Sequence, residues 1–126
     1  MKAITLWQPW AALVADGSKR YETRGWNTQH RGRLAIHSAK TEKGLQYARD
    51  NDIPIPGRLE FGKVLCIVDL IEVYKTETLF QMLPGEQLLL GDFSPGRFAW
   101  MIKLIEVLET PIPASGSQGF WNWEES

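Results

Sequence analysis

Residues 62–74 carry a nearly unbroken apolar run, with Val64-Leu65-Cys66-Ile67-Val68 at its centre. Such a run predicts a strand covered on both faces, or one that closes a small barrel. A second long strand is predicted over residues 97–108, where Phe98, Trp100, Ile102 and Leu104 fall at every second position. Pro111 and Pro113 are expected to end its pairing, because proline has no N–H to give to a ladder on an interior strand. Shorter strands are predicted at residues 3–6, 20–26 and 33–37, the last with Leu34 and Ile36 on one face and Arg33, Ala35 and His37 on the other.

Helices fill the gaps. Residues 8–16 read as a short helix, with Pro9 suited to its first position and Gly17 to the left-handed residue just past its end. Trp10, Leu13 and Val14 recur at helical spacing and form its expected buried stripe. Thr41 can cap a second helix running to about Asn51, weakened by Gly44. Ile53-Pro54-Ile55-Pro56-Gly57 must be extended loop, since each proline disfavours helix in the residue before it. A short helix is expected over residues 77–83, broken at Pro84-Gly85. With no βαβ rhythm, the fold class is mainly β with helices (α+β). It is expected to be a small mixed β-barrel of about five or six strands, with two or three short helices packed on its side.

The 126 residues read as one domain, 1–126. No stretch of 18 apolar residues occurs and no signal-peptide pattern opens the chain, so a cytoplasmic location with no membrane partner is the expectation. The one cysteine, Cys66, lies within the apolar strand and reads as a core residue, a reactive thiol being the alternative. Two histidines and one cysteine without C-x-x-C or H-x-x-x-H spacing do not make a zinc ligand set, and no phosphate-cradling glycine loop is present. No metal or cofactor is therefore expected.

The net charge of −1 argues against a nonspecific duplex binder. Its distribution is uneven. Residues 17–43 hold seven basic residues and two acidic ones, a local +5, so the remainder carries −6. A solvated face would explain that excess, and so would a face that concentrates an anionic ligand. At its start lies Gly17-Ser18-Lys19-Arg20-Tyr21-Glu22-Thr23-Arg24, where the chain leaves the first helix and enters a strand. Strict alternation would put Lys19 and Glu22 on opposite faces; they share a cleft if Lys19 still lies in the corner after Gly17. The alternative is an ion pair of Glu22 with Arg20 or Arg24 that only decorates the barrel.

The pattern G-x-K-x-x-E-x-R after a short helix, followed by Arg31-Gly32-Arg33-Leu34-Ala35-Ile36-His37, resembles the ASCH domain, a relative of the RNA-binding PUA domains. Gly91-Asp92-Phe93-Ser94-Pro95-Gly96-Arg97 and the closing Gly116-Ser117-Gln118-Gly119-Phe120-Trp121 are similar to small bacterial members of that family. The resemblance implies a PUA-like barrel with a charged cleft between the first helix and the barrel. It implies two readings. In the first, the domain binds single-stranded RNA or a nucleoside or nucleotide: Lys19 and Arg24 contact phosphate, Glu22 accepts from a base amino group, and an aromatic stacks on the ring. In the second, it is an amidohydrolase acting on N4-acylated cytidine, or a ribonuclease, with Lys19 and Glu22 as proton-transfer groups. Lys19 corresponds to the lysine of the family's N4-acetylcytidine deacylases, but Glu22 stands where those keep a threonine. A second carboxylate would come from Glu77, Glu86 or Asp92.

Around this corner the candidate ligand-binding residues are Arg24, Trp7, Trp10, His37, Arg97 and Trp121. Trp7 and Trp10 flank Pro9 and can line the groove; aromatic core packing is the alternative for each. His37 is read either as a hydrogen-bonded structural residue or as part of the site. Arg97 either pairs with Asp92 across the turn between them or points into the cleft. Trp121 and Trp123 lie in a glycine-rich tail that must pack onto the barrel to bury them.

Overall fold

A computed structural model describes residues 1–124; residues 125 and 126, the end of the expected domain, lie outside the described residues. Six strands form one mixed sheet: β1 (Lys2–Leu6), β2 (Tyr21–Arg24), β3 (Gly32–Ser38), β4 (Lys63–Lys75), β5 (Phe98–Pro113) and β6 (Trp121–Asn122). Their order is β2-β5-β4-β3-β1-β6, with only β1 and β3 parallel. The long apolar runs form the central antiparallel pair, β4 and β5. Bulges interrupt their register between Val64 and Cys66, Ile67 and Val68, and Leu70 and Glu72. Each bulge bends and twists its strand, so the sheet curls into an open barrel-like α+β fold.

Both sheet faces are covered, as the apolar run requires. On one, Ile4, Leu34, Ile36, Val68, Leu70 and Trp100 pack together with Ala11 and Val14 of α1 (Trp10–Ala15). On the other, Ala3, Ala35, Val64 and Ile67 are covered by Trp123, so the tail packs as its composition demanded. A fully buried Val, Leu or Ile side chain contributes about 1.5–3 kcal/mol, which makes this two-sided burial the main stabilisation of the sheet. The tail is also tied to the chain start. The Met1 ammonium donates to the Trp123 carbonyl (3.0 Å) and the Trp123 N–H to the Met1 carbonyl (2.8 Å).

Among the described residues four helices form where two or three were expected: α1, α2 (Lys43–Asp50), α3 (Thr76–Leu79) and α4 (Gly85–Leu89). The expected helix over 77–83 is shorter, and Pro84-Gly85 starts α4 as well as ending its predecessor. Pro9 is the residue before α1 rather than its first, and Gly17 takes the expected left-handed turn at φ +85°. Thr41 accepts the Lys43 N–H at 3.2 Å, one residue ahead of the cap position taken by Glu42. Gly44 is there for close approach. A Cβ on it would stand 2.7 Å from the Trp10 ring and collide with the Gln8 carbonyl, so its lack of a side chain lets α2 press on the start of α1.

Two strand expectations change. The motif strand is shorter than 20–26, leaving Lys19 and Arg20 before it. The prolines do not stop β5, which pairs with β4 as far as Pro113. Ala114 donates to Gly62 at 3.1 Å, and alternate residues point their N–H groups to opposite sides, so Pro111 and Pro113 face away from β4. β2 accompanies β5 only along Phe98–Met101, and an edge accommodates proline. No helix among the described residues is long and apolar enough to cross a membrane.

Candidate functional site

The turn at Gly17 aims Lys19 inward before β2 begins. Its side chain is 2% exposed, and its Nζ donates to the Leu90 carbonyl at the end of α4 (2.6 Å). The same Nζ lies 3.6 Å from Glu22 Oε1. The opposite carboxylate oxygen, Oε2, accepts from Arg24 Nε at 2.8 Å. Lys19 and Glu22 therefore converge because Lys19 lies in the corner, outside the alternation that would have separated them. Burial pulls the Lys19 ammonium below its ordinary value, and the Glu22 carboxylate only partly opposes this.

These residues line a groove of about 710 Å³ between α1, β2 and the end of α4. Trp7 and Trp10 are on its wall, Trp7 about half exposed. Arg97 and Asp92 line it too, and both alternatives for Arg97 hold together: it borders the groove, and its Nε donates to the Asp92 carbonyl at 3.1 Å and lies 3.5 Å from the Asp92 carboxylate. Of the three candidate second carboxylates, Asp92 borders the groove, whereas Glu77 accepts from the Gly96 N–H and the Thr76 hydroxyl. Ser94 holds the Asp92 carboxyl below its usual range through its hydroxyl and N–H. The Thr23 hydroxyl accepts the Asp92 N–H at 3.0 Å and pins this loop to β2.

Two of the expected ligand contacts lie elsewhere. His37 borders a neighbouring groove of about 760 Å³. Its Nε2 must carry the proton, since it lies 2.8 Å from the Ala114 carbonyl, which can only accept. Its Nδ1 then accepts from the Thr5 hydroxyl (3.0 Å), which in turn accepts from Trp121 Nε1–H (3.0 Å). Burial lowers the His37 pKa, against the Ala114 hydrogen bond. Trp121 thus stands behind Thr5, its indole edge-on to His37 at 5.2 Å, and serves as a strap holding the tail. Cys66 is fully buried, its thiol pushed up to about 12 by desolvation. Among the described residues no group of His, Cys, Asp or Glu is placed to hold a metal.

Sequence reasoning missed three parts of this site: the Leu90 carbonyl, the Thr23 hydroxyl and Thr5, whose carbonyl accepts from Arg24 Nη2 at 3.1 Å. Backbone acceptors carry no sequence signature. The glycine at Gly91, which lets the loop close over Thr23, was the one available sign.

A curled mixed sheet with a lysine–glutamate–arginine corner against its first helix defines a class of small barrel domains with a charged side groove. The chain belongs to the ASCH domain family, whose model matches residues 4–112. Its fold is similar to that of an ASCH protein from Zymomonas mobilis, at a TM-score of 0.61 and 15% identity, over 89% of this chain and 72% of that one. A mutant form of that protein matches at a TM-score of 0.56 and 17% identity, over 89% and 72%. Among curated proteins, activating signal cointegrator 1 of mouse and of human each match at 27% identity over 94% of this chain. The match spans only 21% of those relatives' length.

Proposed function

We propose that this domain binds single-stranded RNA, or a nucleoside or nucleotide alone, with the base in the groove between α1 and the sheet. The observation that carries this reading is the Glu22 carboxylate, clamped by Arg24 and Lys19 beside the half-exposed Trp7 ring. A carboxylate only accepts, so its complement is an amino or imino donor on a base edge, never a phosphate. Trp7 offers a stacking face, and base–aromatic stacking contributes about 1–3 kcal/mol. Arg24 and Arg97 are the candidates for phosphate. Lys19, buried against Leu90, acts here by holding Glu22 rather than by touching phosphate. The match to a fifth of a larger cointegrator also favours a recognition module.

Titration with a short single-stranded RNA tests this. Binding should weaken with salt by about 0.7 in log affinity per log salt for each phosphate contact. Glu22→Gln should weaken it about tenfold, the loss of one charge-assisted hydrogen bond. No binding at low salt would remove the reading.

The buried Lys19, with its lowered pKa next to a carboxylate, favours a second reading: hydrolysis of N4-acylated cytidine. Lys19 would take a proton from the attacking water as its oxygen bonds the acyl carbon, and Glu22 would pass a proton to the amine that leaves as the C–N bond breaks. Thr23, the nearest hydroxyl in the motif, is already engaged with Asp92. Release of cytidine and acetate from N4-acetylcytidine, lost in Lys19→Arg because a guanidinium stays protonated, would make the hydrolase primary.

A further inference from the structure

The groove beside His37 is not a separate hollow. Thr5, Trp7 and Arg24 border both grooves, so the two meet across the Arg24 side chain. Their chemistry differs. The first holds Glu22 and Asp92, whereas among the described residues no acidic one borders the second. There the bordering charges are Arg24 and the exposed Lys40, which has no ion-pair partner among the described residues. Trp26, 38% exposed, stands on its wall, its ring close to perpendicular to those of Trp100 (80°) and Phe120 (88°). The opposite wall is the tail segment 114–119, rich in glycine and serine and anchored by the Ala114 and Trp121 hydrogen bonds.

From this we infer that the second groove takes the next nucleotide of the same strand, its phosphate between Arg24 and Lys40 and its base against Trp26. This rests on the base-binding reading of the first groove and extends it: the ligand is a strand of at least two nucleotides, not a free nucleoside. The charge pattern is the reason. A carboxylate-bearing pocket suits a base edge, and an adjoining pocket bordered by the cations Arg24 and Lys40 suits the phosphodiester that must follow. Individual volumes of about 710 and 760 Å³ accommodate a nucleotide each, being within the usual range of small-ligand pockets.

The experiment compares cytidine 5′-monophosphate with a mixed-sequence RNA tetranucleotide, on wild type, Lys40→Glu and Ser117→Glu. Both substituted residues are exposed, and Ser117 borders the second groove on the tail, so each places a negative charge there without disturbing the core. The wild type should bind the tetranucleotide at least about tenfold tighter than the mononucleotide, and each variant should collapse that ratio. The tetranucleotide salt slope should fall by about 0.7 in Lys40→Glu, the signature of one lost phosphate contact. A ratio near one in the wild type, or a ratio that both variants leave intact, overturns the inference while leaving the first-groove reading standing. Absence of binding to either probe overturns both. Displacement of the tetranucleotide by a glutamate-rich peptide, lost in both variants, would reassign the second groove to a protein partner.

Discussion

Arg24 ties β2 to the end of β1: its Nη2 donates to the Thr5 carbonyl at 3.1 Å across a gap that no strand ladder closes. With its Nε committed to Glu22, one guanidinium joins the sheet's open side to the carboxylate of the groove. Arg24→Ala should therefore cost both stability and ligand. Loss of two charge-assisted hydrogen bonds on a partly exposed side chain predicts about 1–3 kcal/mol, read as a lower urea midpoint with unchanged slope. Arg24→Lys keeps the charge but not the fork, and should recover less than half.

Glu22→Gln should reveal the state of Lys19. It leaves a buried ammonium without its counter-ion, a loss of about 3 kcal/mol near neutral pH. Because burial holds the folded Lys19 value below the unfolded one, the unfolded chain binds more protons between the two, and stability rises with pH across that window. The deficit should shrink as pH rises towards the ordinary lysine value of about 10.4, as the ammonium titrates. Urea midpoints that diverge instead would show that the two residues are not coupled.

For His37 the sign is the same but the window is acidic. Its folded value is lowered, so stability should fall as pH drops from the usual imidazole value of about 6.5 towards the folded value. Protonating Nδ1 forces the Thr5 hydroxyl to turn its proton elsewhere and loosens the link to Trp121. His37→Gln should be less stable at neutral pH yet flatter with acid. Thermal melts across the range would expose a wild type as flat as the variant, contrary to expectation.

Gly44→Ala sets local preference against packing. Alanine favours helix by about 1 kcal/mol over glycine. The added Cβ nevertheless meets the Gln8 carbonyl and the Trp10 ring, and overpacking of this kind costs about 1–3 kcal/mol. The variant should be less stable by urea denaturation, with its far-ultraviolet spectrum preserved; a more stable protein would show that α2 simply slides away.

Local pattern made much of this molecule legible. Apolar runs marked β4 and β5, Gly17 marked the corner, and the corner is why Lys19 reaches Glu22. The tail's tryptophans had nowhere to go except onto the sheet. What escaped was long-range or backbone-borne. Leu90 lies 71 residues from the lysine it binds, and nothing in a leucine announces that its carbonyl will be used. For His37 the residue pattern leaves a structural role and a site role both open; its face of β3 looks onto the tail, and both ring nitrogens are engaged there. Trp121, a candidate ligand contact in the tail, packs against Thr5 and His37 through contacts that span more than eighty residues of chain. Pro111 and Pro113 were read as stops because the edge character of β5 past Met101 depends on how short β2 is.

The reciprocal backbone bonds between Met1 and Trp123 bring the two ends of the described chain to one spot, beside the short β1–β6 pairing. Such a chain can be spliced. A short glycine linker joining those ends would close a ring, and new termini could be opened in the proline-containing stretch 53–57, whose residues belong to no strand or helix. The same geometry lets the unit be set within a longer polypeptide by two connections at a single point, as a pendant on a necklace hangs from one link.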